Sequence, residues 1–149
     1  EHMQKLINEY EHLVKGTEFA LQIRRCGLAK NFNEQTKETN YCTDKTLEKF
    51  YDIMNKTFGD VYVTSDCYET KQLFKKAWPD RVRILDVPSV HTSSDFDTDP
   101  WVPLLEFFLL SKCPIVYCTG GDHNTGMSIS TYGYMAAIYG CKPFNFIFN

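Results

Sequence analysis

The segment CPIVYC, residues 113–118, is apolar throughout. A strand with one face in water alternates apolar and polar residues, so a strand without that alternation has to be covered on both faces. A parallel sheet with helices on both sides meets that requirement. The rest of the chain supplies such helices, in regular alternation with strands. Leu6, Ile7, Tyr10, Leu13 and Val14 recur at helical spacing up to Gly16, and EFALQIRR (18–25) then reads as a strand. A second helix runs from Asp44, with Leu47, Phe50, Tyr51, Met54 and Phe58 as its apolar stripe and Gly59 as its stop. DVYVTSD (60–66) is a short β-branched strand. Asp66 with Glu69 reads as the next helix start, Leu73, Phe74 and Ala77 as its buried side, and Pro79 as its end. RVRILDV (81–87) is another strand. Asp99 and Pro100 cap and open a helix through WVPLLEFFLLS, where Pro103 still lies in the first turn. After CPIVYC comes a glycine-containing polar loop, then MSISTYGYMAAIYG (127–140) as a helix ending at Gly140, and PFNFIF (143–148) as a last strand.

Five helix–strand alternations predict an α/β domain built on a right-handed, doubly wound, mostly parallel sheet. The length of 149 residues suits a single domain spanning the whole chain. Residues 26–43 lack apolar periodicity and read as a polar loop insertion. Hydrophobic content of 43% and aromatic content of 15% exclude a disordered chain. A net charge of -3, with no basic cluster beyond Arg24-Arg25 and Lys75-Lys76, argues against nucleic acid and anionic membrane as partners. No apolar stretch reaches the ~20 residues that span a bilayer. No signal peptide is visible, and Glu1-His2-Met3 reads as a cloning remnant, so membrane attachment is expected only through a segment absent from this sequence.

None of the six cysteines forms a CxxC pair, so no zinc site is expected. Cys113 and Cys118 read as core residues. Cys26 and Cys42 bracket the polar loop, where a bridge and two separate thiols are both open. The sequon Asn55-Lys56-Thr57 permits residence in the secretory pathway.

In an open α/β sheet, ligands bind beyond the carboxyl ends of the strands. Arg24 and Arg25 end the first strand. Neighbours on a strand point to opposite faces, so one can face a crevice, where a guanidinium suits a phosphate; an ordinary surface arginine is the alternative. Asp66 ends the second strand, as an acceptor for a ribose or base or as a helix N-cap. Glu106 sits among leucines and phenylalanines, either on a polar helix side or toward the crevice, where it would accept from a guanine N–H edge or a ribose hydroxyl. Ser128, Ser130 and Thr131 lie at the head of the last long helix. Amides and dipole make such a helix end an anion site, and three hydroxyls exceed what N-capping needs. His91, Asp95, Asp97 and Asp99 lack the spacing of a carboxylate metal site and read as a solvated acidic loop. No P-loop and no GxGxxG is present, and VYCTGGDHNTG lacks the arginine of a cysteine-phosphatase loop.

Four stretches, LQIRRCG (21–27), VYVTSD (61–66), LLEFFLLSKCPIVYCTGG (104–121) and SISTYGYMAA (128–137), resemble in order the motifs of the GDP-fucose-dependent fucosyltransferases. The relevant superfamily holds the α1,2-, α1,6- and protein O-fucosyltransferases, and the likeness covers roughly residues 18–147 of their C-terminal nucleotide-binding half. The resemblance implies one Rossmann-like lobe of a GT-B enzyme, with GDP-fucose as donor, no metal or other cofactor, and a glycan or glycoprotein acceptor. It places Arg24 on the donor pyrophosphate as the catalytic residue and Gln22 where the family carries histidine. It implies that Glu106 holds the guanosine and that Ser130, Thr131 and Tyr132 surround the phosphates and guanosine. Golgi, ER-luminal or secreted residence goes with that activity, and a cytoplasmic location is the alternative. In two respects the chain departs from the pattern: GGDHNTGM is longer than the family's loop, and 149 residues make one lobe only. The second departure leaves a non-catalytic nucleotide-sugar- or carbohydrate-binding module as the alternative function.

Overall fold

The structure is a computed structural model that describes residues 1–25, 42–87, 101–121 and 130–149. Its elements, in chain order, are α1 (His2–Tyr10) with a 3-10 turn at Glu11–Leu13, β1 (Phe19–Ile23), α2 (Asp44–Lys56), β2 (Val61–Ser65), α3 (Tyr68–Ala77), β3 (Val82–Arg83), α4 (Trp101–Lys112), β4 (Val116–Gly121), α5 (Thr131–Tyr139) and β5 (Phe144–Phe148). The five strands form one sheet in the order β3-β2-β1-β4-β5, and every pair is parallel. The alternating pattern is thus realised as a doubly wound α/β sheet.

Period-two alternation along the strands divides the core in two. Ala20, Tyr62, Val116 and Cys118 face the layer of α1, α4 and α5, with Leu105, Leu109, Leu110, Ala136 and Ala137 packed on them. Phe19, Leu21, Ile23, Val61 and Val63 face the layer of α2 and α3, with Phe50, Met54 and Phe74. Burial of both strand faces accounts for the unbroken apolar runs.

Several boundaries differ from the sequence reading. α2 ends at Lys56, and Phe58, counted in its stripe, lies beyond the helix and is 89% exposed. α3 buries Thr70, Lys71 and Phe74, whereas Leu73 and Ala77 are exposed. In RVRILDV only Val82 and Arg83 pair as a strand, although Ile84 and Leu85 remain buried. Gly120 and Gly121 belong to β4 and not to the loop after it, because β5 pairs alongside as far as Gly121. Gly121 has φ 66°, in the left-handed region that glycine adopts without strain. α5 starts at Thr131; the hydroxyl-rich residues before Ser130 lie outside the described residues. The same holds for Cys26, the Asp99-Pro100 cap and the cluster His91, Asp95, Asp97 and Asp99, so neither the bridging alternative nor the acidic loop falls within the described residues. Cys42 carries a thiol. In the sequon, Asn55 is exposed on α2, and the Thr57 hydroxyl donates to the Ile53 carbonyl at 2.9 Å.

The α5 exit crosses α4 at Gly140. A Cβ built there would lie 1.9 Å from the Ser111 carbonyl oxygen, which is fixed backbone of α4. Gly140→Ala is expected to destabilise the fold by about 3 kcal/mol, read as a lower urea midpoint at unchanged m-value.

Candidate functional site

The strand order reverses between β1 and β4. After β1 the chain returns through α2 in one helical layer, and after β4 through α5 in the other, so the carboxyl ends of β1 and β4 open a crevice between diverging connections.

Thr119 of β4 organises this crevice. Its hydroxyl accepts the Arg24 backbone N–H at 3.0 Å and donates to the Gln22 carbonyl at 3.3 Å. Its own carbonyl accepts the Ser130 N–H at 3.1 Å. Arg24 and the start of α5 therefore hang on one residue. Ser130 occupies the N-cap position, yet its hydroxyl makes no bond to the helix amides. It donates instead to Gln22 Oε1 at 2.8 Å, and both residues are buried. Plain N-capping is thereby excluded for this hydroxyl, and the amides of the first turn of α5 are left to other acceptors. Thr131 is exposed at that turn, and Ser128 lies outside the described residues. Gly133 allows the close approach: a Cβ there would sit 2.9 Å from Cys118 Cβ and 3.0 Å from Gln22 Oε1. A helix-interior glycine costs about 1 kcal/mol against alanine, offset here by seating α5 on β1 and β4. Burial pushes the Cys118 thiol up to about 12.

Arg24 and Arg25 follow the end of β1, and Arg24 is half-buried with its backbone N–H held by Thr119. Arg25 turns toward α2, where its guanidinium pairs with Asp44 in the first helical turn and lies beside Cys42. Partial burial opposes the Arg25 charge, but the bond to Asp44 and the neighbouring Cys42 hold its pKa above the ordinary value. Burial raises the Cys42 thiol to about 11, against the opposing pull of Arg25.

Asp66 does not cap α3. Cys67 holds the N-cap position, and Asp66 Oδ1 accepts the Arg25 backbone N–H at 2.7 Å, tying the end of β2 to the end of β1. The N-cap reading fails because this neighbouring-strand amide, 41 residues away in sequence, reaches the carboxylate.

Glu106 is 3% exposed, so it does not lie on a polar side of α4. Its Oε1 accepts from Lys71 Nζ at 3.1 Å in a buried ion pair, whose ammonium is closed to solvent while the carboxylate side chain keeps 4% exposure. Lys71 also donates to the Leu85 carbonyl at 3.0 Å and the Val87 carbonyl at 2.7 Å, so three acceptors surround its ammonium. Sequence reasoning missed Lys71; in KQLFKK it looks like one of several solvated lysines, and only its place one turn before Phe74 hints at burial. The Tyr132 hydroxyl donates to the Pro103 carbonyl, fastening the first turn of α5 to the first turn of α4. Burial, with the nearby Glu106 charge, holds the Tyr132 and Tyr62 hydroxyls well above the usual phenol range.

Neither a family model nor a curated protein matches the chain. Among solved structures it is similar to NodZ α-1,6-fucosyltransferase, co-crystallised with GDP, at a TM-score of 0.51 and 14% identity. The similarity covers 91% of this chain and 41% of the fucosyltransferase chain. The chain thus has a fucosyltransferase-like fold and spans less than half the length of that neighbour.

Removing one partner of a buried hydrogen bond leaves the other unsatisfied, whereas removing both is nearly neutral. Ser130→Ala is expected to cost about 2 kcal/mol in chemical denaturation. Adding Gln22→Met to Ser130→Ala should recover part of that loss.

Proposed function

We propose that this chain is the donor-binding portion of a glycosyltransferase that uses a guanosine-diphosphate-activated sugar, GDP-fucose. The observation that carries the reading is the attachment of Arg24 and the α5 N-terminus to the same residue, Thr119, at the reversal point of the sheet. A guanidinium and a helix N-terminus supply two kinds of positive potential, one a charge and the other a set of oriented amides. A nucleoside diphosphate has its negative charge between a base and a sugar, and such a pair of positive potentials suits that charge. The fucosyltransferase-like fold supports the choice of nucleotide sugar over other anions.

In the proposed reaction the bond between the sugar's anomeric carbon and the diphosphate oxygen breaks, and its electron pair stays on GDP. An acceptor hydroxyl bonds to the anomeric carbon and releases its proton to water. Negative charge grows on the leaving diphosphate, where Arg24 and the first-turn amides of α5 act as electrostatic stabilisers. Thr131 and Tyr132 line the same helix turn, and Gln22 with Ser130 fixes its position relative to β1. Asp66 holds the Arg25 amide, and so the course of the chain just after Arg24. Glu106 takes the guanosine. Luminal or secreted residence goes with this activity.

The chain spans 41% of its structural neighbour, which favours a second reading for the chain taken alone: binding of the donor without transfer, as a nucleotide-sugar-binding module. Turnover of GDP-fucose by a longer protein containing this sequence separates the two.

Isothermal titration is expected to show micromolar GDP binding with no heat from UDP, and Arg24→Ala should abolish that binding. In a turnover assay the same substitution is expected to remove about 3 kcal/mol of transition-state stabilisation. Absence of GDP heat or thermal shift at millimolar nucleotide would sink the donor-site reading.

A further inference from the structure

Lys71 lies in the α3 layer and Glu106 in the α4 layer, and their ion pair joins the two around the end of the sheet. Burying an ammonium and a carboxylate together is costly, and a well-packed apolar pair of similar volume serves stability as well or better. Stability alone therefore gives no reason for these two residues.

The placement supplies one. Glu106 is one helical turn beyond Pro103, whose carbonyl holds Tyr132 in the first turn of α5. Two of the three ammonium contacts go to Leu85 and Val87, just beyond β3 at the carboxyl edge of the sheet. One side chain thus sets both the carboxylate and the chain that leaves β3 at the carboxyl edge of the sheet. Among the described residues, the hydroxyls of buried Tyr62 on β2 and half-buried Tyr132 on α5 also lie near Glu106. Among the described residues the Tyr62 hydroxyl makes no hydrogen bond.

A guanine edge presents two neighbouring donors, the ring N1–H and the exocyclic amino group. An ionised carboxylate accepts both, while a protonated one presents a donor of its own. A buried carboxyl that loses its counter-charge is driven toward the protonated form.

Building on the guanosine role proposed for Glu106, we infer that Lys71 is a positioning residue for base selection: bound to the β3 exit and to α4, it keeps Glu106 an oriented, acceptor-only carboxylate that distinguishes guanine from bases with fewer donors.

The test compares GDP with inosine diphosphate, whose base lacks the amino group, by calorimetry on the wild type and on Lys71→Met, Lys71→Arg, Lys71→Gln and Glu106→Gln. The wild type is expected to prefer GDP by on the order of 10-fold or more, the effect of one hydrogen bond to a charged group. Lys71→Met should bring that ratio close to one, as Glu106→Gln does, while Lys71→Arg retains the preference. Lys71→Gln is neutral but can still donate to the Leu85 and Val87 carbonyls, so it separates charge from packing and serves if Lys71→Met does not fold; it too should lose the preference. A merely structural lysine would weaken both nucleotides alike, and an unchanged GDP-to-inosine-diphosphate ratio in Lys71→Met or Lys71→Gln overturns the inference while the donor-site reading stands. A wild type that binds neither nucleotide overturns the donor-site reading, and the inference with it.

Discussion

The carboxyl end of this sheet depends on a buried charge. Lys71 comes from the helix layer behind β2 and β3, and Glu106 from the layer in front. Two parallel layers on a sheet otherwise communicate only through the strands between them. Here a single ammonium, bonded to one carboxylate oxygen and two backbone carbonyls, clamps α3, the exit of β3 and α4 together. The clamp is all-or-nothing in character. With every partner present the cost of desolvation is met by close geometry, and with one missing an uncompensated charge remains inside the protein.

The crevice on the other side of β1 is assembled from neutral groups. Thr119 carries Arg24 through its hydroxyl and the start of α5 through its carbonyl, while the Gln22–Ser130 bond sets the height of the helix above β1. Because Ser130 spends its hydroxyl on β1, the positive end of α5 is not quenched by its own N-cap residue. Gly133 permits that seating. The arrangement leaves the first-turn amides of α5 beside the end of β1, where Thr119 also holds the Arg24 amide.

How much of this was legible depended on the distance in sequence between partners. Element order followed from period changes within short windows, and the doubly wound sheet followed from apolar runs such as CPIVYC. Local stop signals worked less well at single residues: Phe58 fits the α2 stripe by spacing but falls after the helix has ended. Hydrophobic periodicity has no way to register an acceptor 35 residues away, so it favours Leu73 and Ala77 over Lys71 for the buried side of α3. Asp66 looked like a cap because the amide it accepts lies on another strand. The same applies to Ser130, whose partner Gln22 is 108 positions earlier. Gly120 and Gly121 read as loop because the β5 residues that flank them in register, Ile147 opposite Thr119 and Phe148 opposite Gly121, lie more than 25 positions away. Residue types at the site were visible; the pairings that give them meaning were not.

The brevity of β3 makes the sheet uneven. β1 lies between two partners along its length, whereas β3 contributes only the two registered positions Val61↔Val82 and Tyr62↔Arg83. Opening free energy in a native protein follows such differences in local pairing, with sparsely paired borders fraying at far lower cost than the interior. Amide exchange would therefore run fastest along the β3 border. The β3 border can breathe while the β1–β4 junction holds still, so lateral loosening of the sheet leaves its reversal point undisturbed.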